Sequence, residues 1–521
     1  MEPEIVAFCC QWCSYAGADL AGTSRMKYPP NIRIIRLMCT GRLEPSFVTR
    51  ALELGADGVL VSGCHLGDCH YISGNERAQK RVETLKKLLD TMGIDPARLR
   101  LEWVSASEGQ KFADVIKDFV NKCKEMGENP LKNEVKLPEK PEATGQFIKK
   151  LVNETKAYYC LECGKCAGSC PVSRVNSGFS PVITVGKALR GFYEEIPADK
   201  GLWGCLTCNT CSNRCPSGVD YTGFIRGVRA HALMMENNGN CAHGGILSSM
   251  MRILSRNSNE QNRNRWVTPD LKTSNSGKLL YFSGCLPYFE NLFSDIGVPS
   301  IDIARNTIRI LNHAGIEPVI MKEERCCGHD LFWSGDMAGF RKLAKLNIEK
   351  IEKTGIEKVV FSCPECYRTF KLDYPEYDFE VIHITELLNE LIRDGKLGFN
   401  KLEEKITYHD PCRLGKHLGI YDAPREVLKS IPGIDLVEME GNRSGALCCG
   451  TSAWMNCSMD SKQIRMKRLM EAKATGTNML ITACPKCLIH FKCAQSEKLP
   501  EELKAIEVKD ISSLLIKAGA S

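Results

Sequence analysis

The sequence predicts a multidomain chain of mixed α/β and α class: a parallel α/β domain first, a helical middle, and a duplicated α/β region last. Three observations carry this. Short β-branched runs alternate with helical periods over residues 1–138. Two four-cysteine runs of one spacing then sit among helical stretches within 139–262. Beyond 277, a single cysteine pattern occurs twice, over 277–400 and 401–521. A length of 521 residues accommodates about three or four domains.

Composition narrows the chemistry. With 25% charged and 43% hydrophobic residues the chain has the make-up of a soluble globular protein, and a net charge of +6 is too mild to name a partner. The 28 cysteines are the anomaly. The opening MEPEIVAFCC has no basic start, and no apolar run reaches membrane-spanning length. Many cysteines without an export signal indicate metal rather than disulfides, because the cytosol keeps thiols reduced. The expectation is a cytoplasmic, oxygen-sensitive iron–sulfur protein.

In residues 1–138 the segments EIVAFCC, IRIIRLMC, ADGVLVSGC and LRLEWVSA read as strands. SYAGADLAG, EPSFVTRALELG, ERAQKRVETLKKLLDTMG and EGQKFADVIKDFVNKCKEMG read as helices. This alternation predicts a flavodoxin-like parallel sheet. Cys10 and Cys13 follow the first strand, Cys39 ends the second, and Cys64 and Cys69 follow the third. Ligands bind at the carboxyl ends of such strands. Five thiols there exceed by one the four of a [2Fe–2S] site, and the pattern leaves open which four bind. Cys9 lies within the strand and Cys123 on the last helix, so both read as buried apolar residues.

The motifs FCCQWCSYAGADLAG, YPPNIRIIRLMCTGRLEPSF, GADGVLVSGCHLGDCHY and EWVSASEGQKF make this domain similar to the delta subunit of methyl-viologen-reducing hydrogenase. The resemblance implies one [2Fe–2S] cluster and transfer of electrons from a hydrogenase or formate dehydrogenase to the flavin-containing A-subunit of a heterodisulfide reductase.

NEVKLPEKPEATG reads as a charged linker into the helical middle. There Cys160, Cys163, Cys166 and Cys170 follow C-x2-C-x2-C-x3-C-P, and Cys205, Cys208, Cys211 and Cys215 repeat it. This is the spacing of two-cluster ferredoxins, in which the last cysteine of each run crosses to the other cluster. The implied sets are Cys160, Cys163, Cys166 with Cys215, and Cys205, Cys208, Cys211 with Cys170, each for a cubane [4Fe–4S]. Helical segments such as QFIKKLVNETKAYYC and YTGFIRGVRAHALMM surround them, and the arrangement resembles the helical ferredoxin C-subunit of heterodisulfide reductase. Cys241 matches no ligand pattern. The polar tract 257–275 reads as a second linker, and its lack of interleaved aromatics beyond Trp266 argues against nucleic acid.

The C-terminal repeat has Cys285 after LLYFSG, Cys326 and Cys327 in CCG, and Cys363 and Cys366 in CPEC. Its second copy has Cys412 after ITYHDP, Cys448 and Cys449 in CCG, and Cys484 and Cys487 in CPKC. Each copy reads as a small α/β unit, with function expected where the two meet. Cys457 and Cys493 have no counterparts and read as structural. The pattern resembles the CCG-domain family and, as a pair, the B-subunit of heterodisulfide reductase. That resemblance implies two non-cubane [4Fe–4S] clusters, each on the five cysteines of one copy, and a small-molecule disulfide reduced between them. Many such proteins have His where Arg413 stands, and Arg413 reads either as an anion-binding residue or as a surface or salt-bridging one. His329, His409 and His417 read as residues that orient ligands, with proton relay the alternative.

Together these readings predict an iron–sulfur component of a heterodisulfide reductase complex, acting on the coenzyme M–coenzyme B disulfide of methanogenesis with electron bifurcation at the partner's flavin. No GxGxxG fingerprint marks a flavin site in this chain. The competing readings are an electron-transfer subunit serving another disulfide, a 2-hydroxy acid or a quinone, and a non-enzymatic zinc scaffold.

Overall fold

The computed structural model describes residues 2–132, 142–239, 242–256 and 260–520. Cys241, most of the first linker and residues 257–259 lie outside these. Contacts divide the chain into two compact units, Met1–Leu137 with His243–Arg263, and Pro138–Ala242 with Asn264–Ser521.

The first unit is built on four parallel strands, β1 (Ile5–Cys10), β2 (Ile32–Leu37), β3 (Gly58–Gly63) and β4 (Leu99–Trp103), in the order β2-β1-β3-β4. The apolar run GVLVSG makes β3 buried at every position, whereas IRIIRL puts two arginines on the edge strand β2. Helices Ser14–Thr23 and Gly109–Met126 close one face. Ala18, Ala21, Phe112, Ile116 and Phe119 pack there with Ile5, Ala7, Cys9 and Cys123. The remaining crossovers put helices Pro45–Glu53 and Gly74–Thr91 on the other face, where they pack on each other.

Residues 243–263 belong by contacts to this unit, although the sequence reading groups them with the helical middle. Helix Ile246–Leu254 packs on Pro45–Glu53, where Arg252 Nε meets the buried Glu53 Oε1 at 3.0 Å. Arg256 donates to the carbonyls of Glu53 and Leu131. The tract read as a second linker is not a solvated spacer, since Arg263, Trp266 and Leu271 are buried.

In the second unit the helical module comes first. Short helices Lys165–Ser169 and Thr210–Arg214 pack on each other, each carrying the third cysteine of its run. The repeat forms two parallel sheets. Strands β5 (Leu279–Phe282), β6 (Lys358–Phe361) and β7 (Glu380–His383) run β5-β6-β7. Strands β8 (Glu404–His409), β9 (Ile434–Leu436), β10 (Met479–Thr482) and β11 (Glu507–Asp510) run β9-β8-β10-β11. An isolated bridge from Val319 to Leu280 occupies the place that β9 takes beside β8. The copies therefore share one sheet order, and each puts its cysteines beyond equivalent strand ends. Among the described residues no helix is long and apolar enough to cross a membrane.

Candidate metal centres

Chain direction and pleat place the N-terminal thiols. Cys9 and Cys10 are adjacent on β1, so their side chains point to opposite faces: Cys9 joins the hydrophobic cluster while Cys10 turns toward the loops. The Ser14 hydroxyl accepts from the Cys10 N–H (2.8 Å) and donates to the Ser62 carbonyl (2.6 Å), fixing the ends of β1 and β3. Cys10 Sγ then lies 3.7 Å from Cys64 Sγ, and Cys39 Sγ lies 3.9 Å from Cys69 Sγ. Cys13 stands within reach of Cys64, and near Cys10 and Cys69.

All five expected thiols thus meet at one edge. Gly74 is required there, because a Cβ on it would sit 2.2 Å from Cys39 Sγ. The buried Asn75, which sequence reading missed, donates to the carbonyls of Cys64 and His65 and holds the loop. Burial pushes Cys64 up to about 11. Burial also acts to raise Cys69, but N–H groups of Tyr71, Asn75 and Gly74, the last two opening helix Gly74–Thr91, hold it below its ordinary value.

The two runs of the helical module wind alike. Glu162 and Gly164 in the first, and Thr207 and Asn209 in the second, occupy matched left-handed positions. Cys160, Cys163 and Cys166 are mutual neighbours, partly exposed. Cys205, Cys208, Cys211 and Cys170 gather in one buried pocket against Pro171, Phe179 and Tyr221, the grouping implied by the ferredoxin pattern. Burial pushes Cys205 up to about 12. Cys215 ends helix Thr210–Arg214, half-buried, its sulfur accepting from the Val219 N–H.

In the repeat, Cys285 Sγ and Cys326 Sγ are 3.4 Å apart, and Cys327 lies among Cys326, Cys363 and Cys366. Gly284, at φ +60°, passes so close that a Cβ would sit 3.0 Å from Cys366 Sγ. The second copy repeats this, with Cys412 beside Cys448, and Cys449 bridging to Cys487 and Cys484. The two sets face each other, since Cys484 lies within electrostatic reach of Cys363.

Between them lies a buried polar cluster. Lys486 Nζ is 2.5 Å from Glu365 Oε2 and 2.6 Å from Asp330 Oδ1. Burial acts to raise Asp330, but the ammonium of Lys486 and the His329 hydrogen bond hold it well below the carboxylate range, while burial leaves Glu365 raised. Glu365 and Lys486 are the third residues of CPEC and CPKC, so one motif supplies opposite charges from its two copies.

Arg413 is not a surface residue. It is buried, donating through Nε to His329 Nε2 (2.9 Å) and through its Nη atoms to the Thr207 carbonyl, the Thr207 hydroxyl (2.8 Å) and the Ser452 hydroxyl (3.3 Å). Because His329 Nε2 accepts from Arg413, its proton sits on Nδ1, which donates to Asp330 at 2.8 Å. Burial pushes His329 down to about 3, so it is neutral. His417 Nε2 is 3.0 Å from the Thr207 carbonyl, and His409 lies against Cys449. His490 Nδ1, unnoticed in the sequence, is 3.3 Å from Cys449 Sγ; its signal was its place three residues after Cys487 on one helix.

These donor sets fit iron–sulfur clusters. Soft thiols converge in pockets whose burial disfavours a bare thiolate, so a bound cation is what permits deprotonation. Backbone N–H groups of Gly41, Thr207 and Gly328 already point at the sulfurs of Cys39, Cys205 and Cys326.

Comparison with known proteins follows the same divisions. Residues 5–127 match the methyl-viologen-reducing hydrogenase delta subunit, 156–219 a 4Fe-4S dicluster domain, and 279–371 and 406–492 the cysteine-rich CCG domain. The iron–sulfur D-subunit of an F420-non-reducing hydrogenase from Methanococcus voltae is 56% identical over 131 residues, 25% of this chain and 91% of that protein. The D-subunit of the dihydromethanophenazine:CoB–CoM heterodisulfide reductase of Methanosarcina barkeri is 36% identical over 274 residues, 50% of this chain and 63% of that protein. The A-subunit of the ferredoxin:CoB–CoM heterodisulfide reductase of Methanosarcina mazei is 53% identical over 134 residues, 26% of this chain but 17% of that protein. The chain thus spans less than two thirds of the heterodisulfide reductase subunits it resembles.

Proposed function

We propose, for a chain that belongs through its first domain to the methyl-viologen-reducing hydrogenase delta-subunit family and joins to it a 4Fe-4S dicluster domain and two cysteine-rich domains, that it is the iron–sulfur and disulfide-reducing subunit of a heterodisulfide reductase complex. In this reading the division is 1–138, 139–262 and 277–521. The first domain is flavodoxin-like and holds one [2Fe–2S] cluster; the second holds two cubane [4Fe–4S] clusters; the repeat holds two non-cubane [4Fe–4S] clusters. Electrons come from a hydrogenase or formate dehydrogenase by way of a flavin-containing A-subunit, where they bifurcate, and the substrate is the coenzyme M–coenzyme B disulfide.

The observation that carries the reading is the approach of the two five-cysteine sets, Cys484 toward Cys363, with the buried Lys486–Glu365–Asp330 cluster joining the copies and the dicluster module bonded to the second copy through Arg413 and Thr207. When bound, the clusters supply electrons singly to the two sulfurs of a disulfide. The chain's own residues shape the space. Lys486, Glu365 and Asp330 tie copy to copy, burial excludes water, and Arg413 fixes the proton of His329 on Nδ1. The A-subunit partner draws support from the Methanosarcina mazei relative, an A-subunit that shares a 134-residue stretch with this chain.

Stepwise reduction followed by electron paramagnetic resonance tests the assignment. Anaerobically purified protein is expected to hold about 18 iron atoms per chain, with two signals beyond those of a [2Fe–2S] and two cubane clusters. Zinc in place of iron, or iron-replete protein lacking the non-cubane signals, contradicts it.

A further inference from the structure

The two cubane sites are made by one motif, yet their surroundings differ sharply. Leu161, second in the first run, is 72% exposed; Leu206, its counterpart, is 3% exposed. The cations at the outer run are solvated: Lys165, within the run, is exposed, and Arg190 is half-exposed and bound to Glu162 at 2.8 Å. The inner run faces two buried guanidiniums instead. Arg229 donates to the carbonyl of the ligand Cys205 at 2.7 Å, and also to those of Leu202 and Trp333. Arg413 donates to the carbonyl and hydroxyl of Thr207, between Cys205 and Cys208. Both arginines are fully buried, and among the described residues neither pairs with a carboxylate.

A four-thiolate cubane gains one negative charge on reduction. Burial alone disfavours that more highly charged state and drives the potential down. Two cations bonded to the cluster's own loop act in the opposite sense, Arg229 with no carboxylate in contact and Arg413 with Glu365 and Asp373 only at longer range, and low polarity magnifies them. We propose that Arg229 and Arg413 are positioning residues that raise the potential of the inner cubane, on Cys170, Cys205, Cys208 and Cys211, above that of the outer one. The wire thereby runs inward: one electron leaves the outer cubane and enters the inner one, with no bond or proton changing place, and two such transfers supply the pair that a disulfide needs. Arg413, next to Cys412 and bonded to His329, adds a direct bonded bridge from the inner loop to the repeat.

The inference rests on the reading that the two runs hold cubanes. Iron-replete protein without two cubane signals fails that reading, whereas two cubanes reduced in the opposite order overturn only this inference. The wild-type holoprotein is titrated stepwise with a viologen-mediated reductant, and the relaxation of each cubane signal is read with and without a soluble dysprosium chelate, which reaches only exposed clusters. The cubane reduced first is expected to be indifferent to the chelate; a chelate-sensitive cubane reduced first overturns the proposal. Arg229→Met and Arg413→Met are each expected to lower the reduced-to-oxidised ratio of that inner cubane about tenfold at fixed potential, about 59 mV for a one-electron couple. The outer cubane keeps its ratio, and Arg413→Lys retains most of the effect. Iron-replete variants with an unmoved inner cubane, or with both cubanes moved alike, overturn it. Should a variant not retain its iron, the reduction order of the wild-type protein decides.

Discussion

Lys486 carries the ammonium that meets Asp330 and Glu365 in the buried cluster between the two cysteine sets. Removing one partner of a buried ion cluster leaves its charges uncompensated, so Lys486→Met is expected to destabilise the repeat by about 3–5 kcal/mol. Thermal unfolding of the chain and iron retention in the repeat check this, and an unchanged unfolding midpoint contradicts it. In the first unit the adjacent Cys9 and Cys10 separate structure from chemistry. Cys10→Ser combined with Cys64→Ser leaves three of the five thiols and is expected to cost about two iron atoms per chain. Cys123→Ala, which trims a residue packed among Phe119 and Ile116, is expected to keep all the iron and lose about 1–2 kcal/mol. Metal analysis of the two variants decides between them. Single cysteines were the most legible residues in the sequence, because their spacing and strand-end positions are local. The meeting of Glu365 with Lys486 was not, since it joins positions in different copies; the signal was the opposite charge at one place of CPEC and CPKC. Of the readings open for Arg413, anion binding, salt bridging or the surface, the fold removes the last, because the Thr207 loop covers it.

At the scale of elements, Cys363 and Cys484 each cap a helix that opens with proline, Pro364–Leu372 and Pro485–Gln495, so free N–H groups and the positive helix end face the thiols. The strand–helix alternation of the first domain was legible from period alone, and its four strands fall where the β-branched runs predict. Helix Ile246–Leu254 went unread, for its apolar face has meaning only against Pro45–Glu53, far away in sequence. The last strand carries a pH-dependent element. Asp510 ends β11 and caps helix Ile511–Lys517 by accepting from the Ser512 N–H. Burial pushes its carboxyl up to about 6. A carboxyl raised above its unfolded value contributes stability below about pH 4 that is lost as pH rises through 6, amounting to about 3 kcal/mol. Asp510→Asn keeps the acceptor without the charge. Its unfolding midpoint is expected to exceed that of the wild type at pH 7.5, by less at pH 5, and to converge with it only below about pH 4; a gap independent of pH contradicts the account.

Over the whole molecule, one chain joins modules that match different known families, and its second unit bonds the inner ferredoxin run to the second cysteine set through Thr207, Ser452, Arg413 and Lys416. The repeat itself could be seen in the sequence as a duplicated cysteine pattern, and its common sheet order follows from that duplication. The approach of the two sets to each other could not, because it depends on how two similar folds face each other. That approach is the basis on which disulfide reduction is proposed for this chain. The most direct test is anaerobic oxidation of reduced viologen by the iron-replete chain, with the coenzyme M–coenzyme B disulfide, other disulfides and a quinone offered in turn, and Cys487→Ser as control. Viologen replaces the flavin partner, so the account predicts turnover with the coenzyme M–coenzyme B disulfide and its loss in the variant. Silence with every disulfide from a chain holding its full iron, or equal turnover by the variant, would contradict it.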